Sequence, residues 1–229
     1  MCIRDRFFDI ARIIKEKRPA AFLLENVKNL KGHDKGNTFR VIMKVLREEL
    51  GYDVHYKIVD ASSMVPQHRE RIFIVGFRKP MDFEFPKLAD RRPKLNDVLE
   101  NKVDDKYTLT DGTWKALQKH KENARKKGNG FGYSMADRDS IAKTLSARYY
   151  KDGAEIVIPQ GKKNPRRLTP RECARIMGFP EKFKIPVSDN QAYRQFGNAV
   201  VVPVVKEIAK SIAYVIKNNK TRKTIVDYA

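Results

Sequence analysis

Residues 20–26, Ala20-Ala21-Phe22-Leu23-Leu24-Glu25-Asn26, decide how the rest of this chain is read. An apolar run without polar alternation fits a parallel strand covered on both faces, whereas a half-exposed strand alternates. A carboxylate and an amide follow at the carboxyl end of that run. In open α/β sheets ligands bind at the carboxyl ends of the strands, so the position of Glu25 matters more than its presence.

Working outward, a helix is expected from Phe7, with Ile10, Ile13 and Ile14 on one face and Pro19 beyond its end. The first six residues, MCIRDR, fit poorly onto that helix and read as foreign to it. A second helix is signalled by Asn37 or Thr38 as N-cap, by Phe39, Ile42, Met43, Leu46 and Leu50, and by Gly51 as the stop. Strands follow at about residues 54–59 and 71–77. Strand, helix, strand, strand predicts an α/β fold: the second half of a doubly wound, Rossmann-like sheet whose last pair is an antiparallel hairpin.

From Pro80 the sequence turns Pro-rich and charged, through Trp114, the Lys-rich stretch KENARKKGNGFGYS and the β-like residues Lys143 to Tyr150. Regularity returns at Thr169-Pro170-Arg171-Glu172, a capping box closed by Gly178. A last helix is expected at Val201 to Asn218, with Val204, Val205, Ile208, Ile212 and Ile216 as its stripe. The expected organisation is a catalytic half-domain at 1–80, a small recognition domain at 81–168, a hinge segment at 169–197 and a returning helix in 198–229.

Composition narrows the partners. Lys and Arg number 48 against 28 Asp and Glu, and 48 − 28 gives +20, a charge that attracts polyanions. Nucleic acid leads, because no run approaches a transmembrane length and no signal peptide is visible, so a soluble cytoplasmic protein without a membrane partner is expected. Cys2 and Cys173 are the only cysteines and lack the spaced ligand pairs of a zinc site, so no metal is expected.

Gln67, Arg69 and Arg71 alternate with His68 and Glu70 ahead of the apolar Ile72 to Val75. At strand period they would project three donors from one face. Taken alone they read equally well as strand-edge charges, and a lone Glu25 is more often a solvated acid than a catalytic one.

Four blocks in order change that balance: FLLENVKNL (22–30), VPQHRERIFIVGF (65–77), RRLTPRECARIMGFP (166–180) and QAYRQFGNAVVVPVV (191–205). Together they resemble the downstream blocks of the DNA cytosine-5 methyltransferases. GNGFGYS (128–134) and TLSARYYKDGAEIVI (144–158) resemble the Dcm-type members, so the likeness extends over residues 7 to 218. It implies methyl transfer from S-adenosylmethionine to cytosine carbon 5 in double-stranded DNA, at CCWGG sites where W is A or T.

By the same resemblance Glu25 is the acid at ring nitrogen 3, kept protonated by burial beside the base. Arg71 donates to the cytosine carbonyl oxygen, and Arg69 supports the pocket or a phosphate. The reaction requires base flipping. Asn198 in the Gly-Asn-Ala block is assigned to the cofactor, against the alternative of a helix cap. Arg125, Lys126 and Lys127 are expected on phosphates, while Phe131, Tyr133, Arg148 and Tyr149 are candidates near the bases, with Gln67 a further DNA contact.

The resemblance also implies a Pro-Cys nucleophile and a glycine-rich cofactor loop, neither of which these residues contain. Cys173, mid-helix after the capping box, reads as a buried small hydrophobe. The expectation is a truncated chain, inactive alone, whose partner is a missing or separate N-terminal half. A DNA-binding remnant and one subunit of a split enzyme remain open alternatives, while an RNA cytosine methyltransferase on the same fold is disfavoured by the large Dcm-like recognition segment.

Overall fold

A computed structural model describes residues 3–130 and 132–218. The chain divides into two compact units, one of Met1–Asp60, Glu70–Lys87 and Lys206–Ala229, the other of Ala61–Arg69 and Leu88–Val205. The boundaries differ from those expected after residues 80, 168 and 197. Composition marks where periodicity stops; it does not reveal that the short segment 61–69 packs into the second unit, or that this unit continues to residue 205.

The first unit contains α1 (Ile3–Lys17), β1 (Ala21–Val27), α2 (Asn37–Lys44), β2 (Asp53–Asp60) and β3 (Glu70–Phe77). The expected hairpin is present, since β2 and β3 pair antiparallel. The sheet order is β1-β3-β2, with β1 also antiparallel to β3. β1 is therefore an edge strand among the described residues, half-buried up to Asn26, and not the doubly covered strand its apolar run implied. One face of the sheet, carrying Phe22, Leu24, Ile72, Ile74 and Val54, packs against α1 and α2 through Phe7, Ala11, Ile14, Phe39, Ile42 and Met43. Gly76 is required there, because a Cβ at that position would lie 2.1 Å from the ring of Phe22.

Two helix details differ from expectation. α1 buries Phe7, Ala11 and Ile14, while Ile10 and Ile13 are exposed, so the stripe is rotated from the one read in the isoleucines. α2 starts behind Gly36, whose left-handed backbone (φ 86) replaces a side-chain cap, and Asn37 instead accepts a bond from Arg40 at 2.8 Å.

The second unit contains α3 (Asp111–Lys126), β4 (Ile158–Gln160), β5 (Lys163–Arg166), α4 (Pro170–Ile176) and α5 (Asp189–Asn198), and the first residues of α6 (Val202–Lys217). The capping box forms as read: the Thr169 hydroxyl accepts from the Glu172 amide and Glu172 accepts from the Thr169 amide. Glu172 is wholly buried and also holds Arg166 by two bonds, 2.8 and 2.9 Å, and the Glu100 amide at 2.8 Å. A buried carboxylate persists where each oxygen is partnered, as here. Lys143 to Tyr150 is not a strand but a loop entering a turn, fixed by Tyr149. The Tyr149 hydroxyl donates to the Ile156 carbonyl at 2.6 Å and accepts from the Leu168 amide at 2.8 Å. Of the stripe expected on α6, Val204 and Ile208 are buried with Val215, and Ile216 is exposed.

Candidate functional site

Glu25 and Arg71 meet in the first unit. Register pairs Arg71 with Val27 and Glu25 with Phe73, which makes Glu25 and Arg71 diagonal neighbours on one sheet face. The Arg71 Nε lies 3.0 Å from the Glu25 Oε1, and both side chains are mostly covered. Burial pushes the Arg71 guanidinium below its ordinary range, and the charge and hydrogen bond of Glu25 oppose that shift. Arg71 also donates to the Glu70 carbonyl at 2.8 Å, and Glu70 pairs with Lys28. A cavity of about 370 Å³ at the end of β1 is lined by Glu25 and Asn26 with Phe7, Leu24, Ile42 and Ile74, on the helix-packed face of the sheet, and Arg71 is not part of its wall. The pair thus fixes a carboxylate and a guanidinium side by side near the end of a strand.

Gln67 and Arg69 do not share this role. They lie in the second unit, Gln67 fully buried and Arg69 nearly so. Gln67 accepts from the Leu145 amide at 2.8 Å and donates to the Ile176 carbonyl at 3.3 Å. Arg69 donates to the carbonyls of Leu145 (2.8 Å), Gly197 (3.0 Å) and Ala199 (2.9 Å). Neither side chain is placed to contact DNA or a reacting base, and both instead bind backbone from three remote segments. Strand pairing begins only at Glu70, so of the three donors Arg71 alone lies in the strand and they do not form one row.

Tyr149 is likewise corrected: it is fully buried with its hydroxyl used twice, and is an anchor and not a base contact. Arg148, next to it, is exposed. Arg148 and the half-buried Tyr133 line one cavity of about 570 Å³ with His120, Lys151, Asp152 and Glu155. The sequence reading named none of these last four, which bring charges of both signs around Arg148. Tyr133 is held by an edge contact with Trp114 and by Lys121 over its ring. Arg125, Lys126 and Lys127 are exposed at the end of α3, with Lys126 paired to Glu122 at 2.8 Å. Phe131 lies outside the described residues.

Asn198 ends α5 and does not open the returning helix, which starts at Val202. It is exposed, and Gly197 before it is needed for chain passage, since a Cβ there would lie 2.2 Å from the Ser146 carbonyl oxygen. One exposed amide and a glycine filled by backbone do not enclose a cofactor. Cys173 is buried as expected; burial and the neighbouring Glu172 push its thiol well above the ordinary range.

The family model for C-5 cytosine-specific DNA methylases matches residues 4–214. The chain belongs to that family. The chain is 54% identical over 221 residues to the Type II methyltransferase M1.ScrFI of Lactococcus lactis subsp. cremoris, covering 93% of this chain and 57% of the relative. It is 48% identical to the DNA-cytosine methyltransferase of Escherichia coli (strain K12), with 92% of the chain and 53% of the relative covered. The chain therefore spans little more than half the length of these curated relatives. Its fold matches the crystal structure of the S. pombe Dnmt2 methyltransferase with a TM-score of 0.70 at 19% identity, over 93% of this chain and 72% of that one. The fold is thus the Rossmann-like methyltransferase fold, and methyl transfer from S-adenosylmethionine is general to the family. Among the described residues no helix is long and apolar enough to cross a membrane.

Proposed function

We propose that this methylase holds and polarises the target cytosine of a Type II DNA cytosine-5 methyltransferase acting on CCWGG in double-stranded DNA, with S-adenosylmethionine as methyl donor. The observation that carries the reading is the ion pair of Glu25 and Arg71, an acid and an arginine fixed side by side at a strand end. When a thiolate adds to cytosine carbon 6, negative charge develops on ring nitrogen 3 and on the carbonyl oxygen. Arg71 donates to that oxygen, and Glu25, once it has left the ion pair and taken up a proton from solvent, donates that proton to nitrogen 3, so the ion pair is exchanged for two base contacts as charge grows. A duplex base reaches these groups only by flipping. Cys173, buried with a raised thiol, is not the attacking sulfur, and no Pro-Cys pair occurs in these residues. We assign the thiolate to another segment or chain, Asn198 to an outlying cofactor contact, and the site of action to wherever the cell's DNA lies, the cytoplasm in a bacterium.

The test supplies the chain with the upstream portion of its Lactococcus lactis relative and measures labelled methyl transfer to CCWGG, CCSGG (S is G or C) and scrambled duplexes. Transfer to CCWGG alone, abolished by Glu25→Gln, supports the reading. Equal transfer to CCSGG removes the A/T requirement, and transfer that survives Glu25→Gln removes the carboxylate from the chemistry.

A further inference from the structure

We propose that Arg148 and Glu155 act as one donor and acceptor unit that reads a single C·G pair, with Ser146 as the residue that fastens them together. The inference rests on the reading of this chain as a DNA cytosine methylase and extends it to two residues given no role so far, Glu155 and Ser146.

The first observation is the charge inside the cavity of about 570 Å³ in the second unit. Arg148 and Lys151 share it with Asp152 and Glu155. A groove that only follows phosphates has no use for carboxylates, because each repels the backbone it would have to approach. Base edges are different: guanine presents acceptors that suit arginine, and the amino group of its cytosine partner is a donor that suits a carboxylate. Mixed charge within one concavity therefore favours base reading over backbone tracking.

The second observation is how these side chains are joined. The Ser146 hydroxyl donates to the Glu155 Oε1 and accepts from the Arg148 amide at 3.0 Å. A single hydroxyl thus fixes the carboxylate relative to the backbone from which the arginine extends. The other carboxylate of the cavity, Asp152, accepts from the Ala154 amide at 3.1 Å and serves its own local turn, whereas the partner of Glu155 is the hydroxyl that also holds the Arg148 amide, so Glu155 is the carboxylate coupled to the arginine.

The third observation is that the turn is braced on both sides of Arg148. The Lys151 amide donates to the Arg148 carbonyl at 2.9 Å and the Gly153 amide to the Tyr149 carbonyl at 3.0 Å. Tyr149, wholly buried, ties the same turn to Ile156 and Leu168. Gln67 and Arg69 hold Leu145 at its entrance. Ordering costs for the reading loop are met before DNA arrives, which is the condition under which two hydrogen bonds translate into discrimination.

Fluorescence anisotropy with the 229-residue chain tests this, using a CCWGG duplex, duplexes in which each C·G pair is replaced singly by T·A, and a scrambled duplex. The native chain should prefer CCWGG over every single replacement. Glu155→Gln, which keeps size, and Ser146→Ala should each lose at least about fivefold in discrimination at one and the same pair, the pair that Arg148→Ala also blurs. Affinity for the scrambled duplex and the thermal unfolding midpoint should stay unchanged. Equal weakening on all duplexes would make Glu155 a support of the fold, and unchanged ratios would remove it from recognition; either overturns the inference. A native chain with no preference among the duplexes overturns the DNA-reading assignment itself, a failure visible before any variant is made.

Discussion

The Arg71 Nε sits 3.0 Å from the Glu25 carboxylate although the strand register sets Arg71 opposite Val27. The contact is diagonal, two residues offset across an antiparallel pair, and it leaves both groups at the end of β1 with apolar residues on the opposite face. Because each side chain is held by the other, removal of either should be felt differently.

In an enzyme completed with a relative's upstream portion, Glu25→Gln is expected to lower the methylation rate by on the order of 100-fold with little change in DNA affinity, since its contact strengthens only as charge develops. Arg71→Ala should reduce both the rate and the retention of the flipped base. Single-turnover rates with parallel binding isotherms separate the two. Near-native turnover in Glu25→Gln would rule out the acid role.

Arg69→Ala is expected to destabilise the second unit by roughly 2–4 kcal/mol, because three carbonyls lose a buried charged donor. Gln67→Ala should cost about 1–3 kcal/mol for the same reason. Urea unfolding gives these values directly. If Arg69 were a phosphate contact, its loss would instead flatten the salt dependence of DNA binding and leave the urea midpoint in place.

Alanine at Lys126 and Lys127 should weaken binding equally on every duplex and reduce the slope of log affinity against log salt by roughly 0.9 for each phosphate that the native lysine neutralises. Lys126 is already paired with Glu122, so it should contribute less than Lys127. Arg148→Ala should instead erase preference for CCWGG over a scrambled site by about 1–3 kcal/mol. Anisotropy at two salt concentrations distinguishes these patterns, and an equal loss on both duplexes after Arg148→Ala would place it among the phosphate contacts.

Stability should fall as pH rises above about 9. Burial raises the thiol of Cys173 and the phenols of Tyr149 and Tyr193 in the folded chain. The unfolded chain releases those protons at ordinary values while the folded chain keeps them, so the unfolded state binds fewer protons and the slope of stability with pH is negative. The contribution is intact below the unfolded values. Thermal unfolding between about pH 8 and 11 should show the decline, and Cys173→Ser with Tyr193→Phe should make it shallower. A pH-independent midpoint across that range would contradict the burial assignment.

The elements whose signals are local were legible in the order of residues alone. The capping box at Thr169 and Glu172, the hairpin of β2 and β3 and the buried Cys173 follow from near neighbours, and short-range hydrogen bonds and periodicity do not depend on distant packing. The block order likewise was enough to point to the cytosine methylase family. What Gln67, Arg69 and Tyr149 do is set by packing between distant segments. Each is polar in a segment that looks exposed, and nothing local shows that carbonyls and amides from Leu145, Ile156, Ile176, Gly197 and Ala199 converge on them. A buried polar side chain is decided by whether remote backbone arrives to satisfy it. The partnership of Glu25 with Arg71 is of the same kind, since strand order and register, set by how β3 inserts between β1 and β2, bring them within hydrogen-bonding distance.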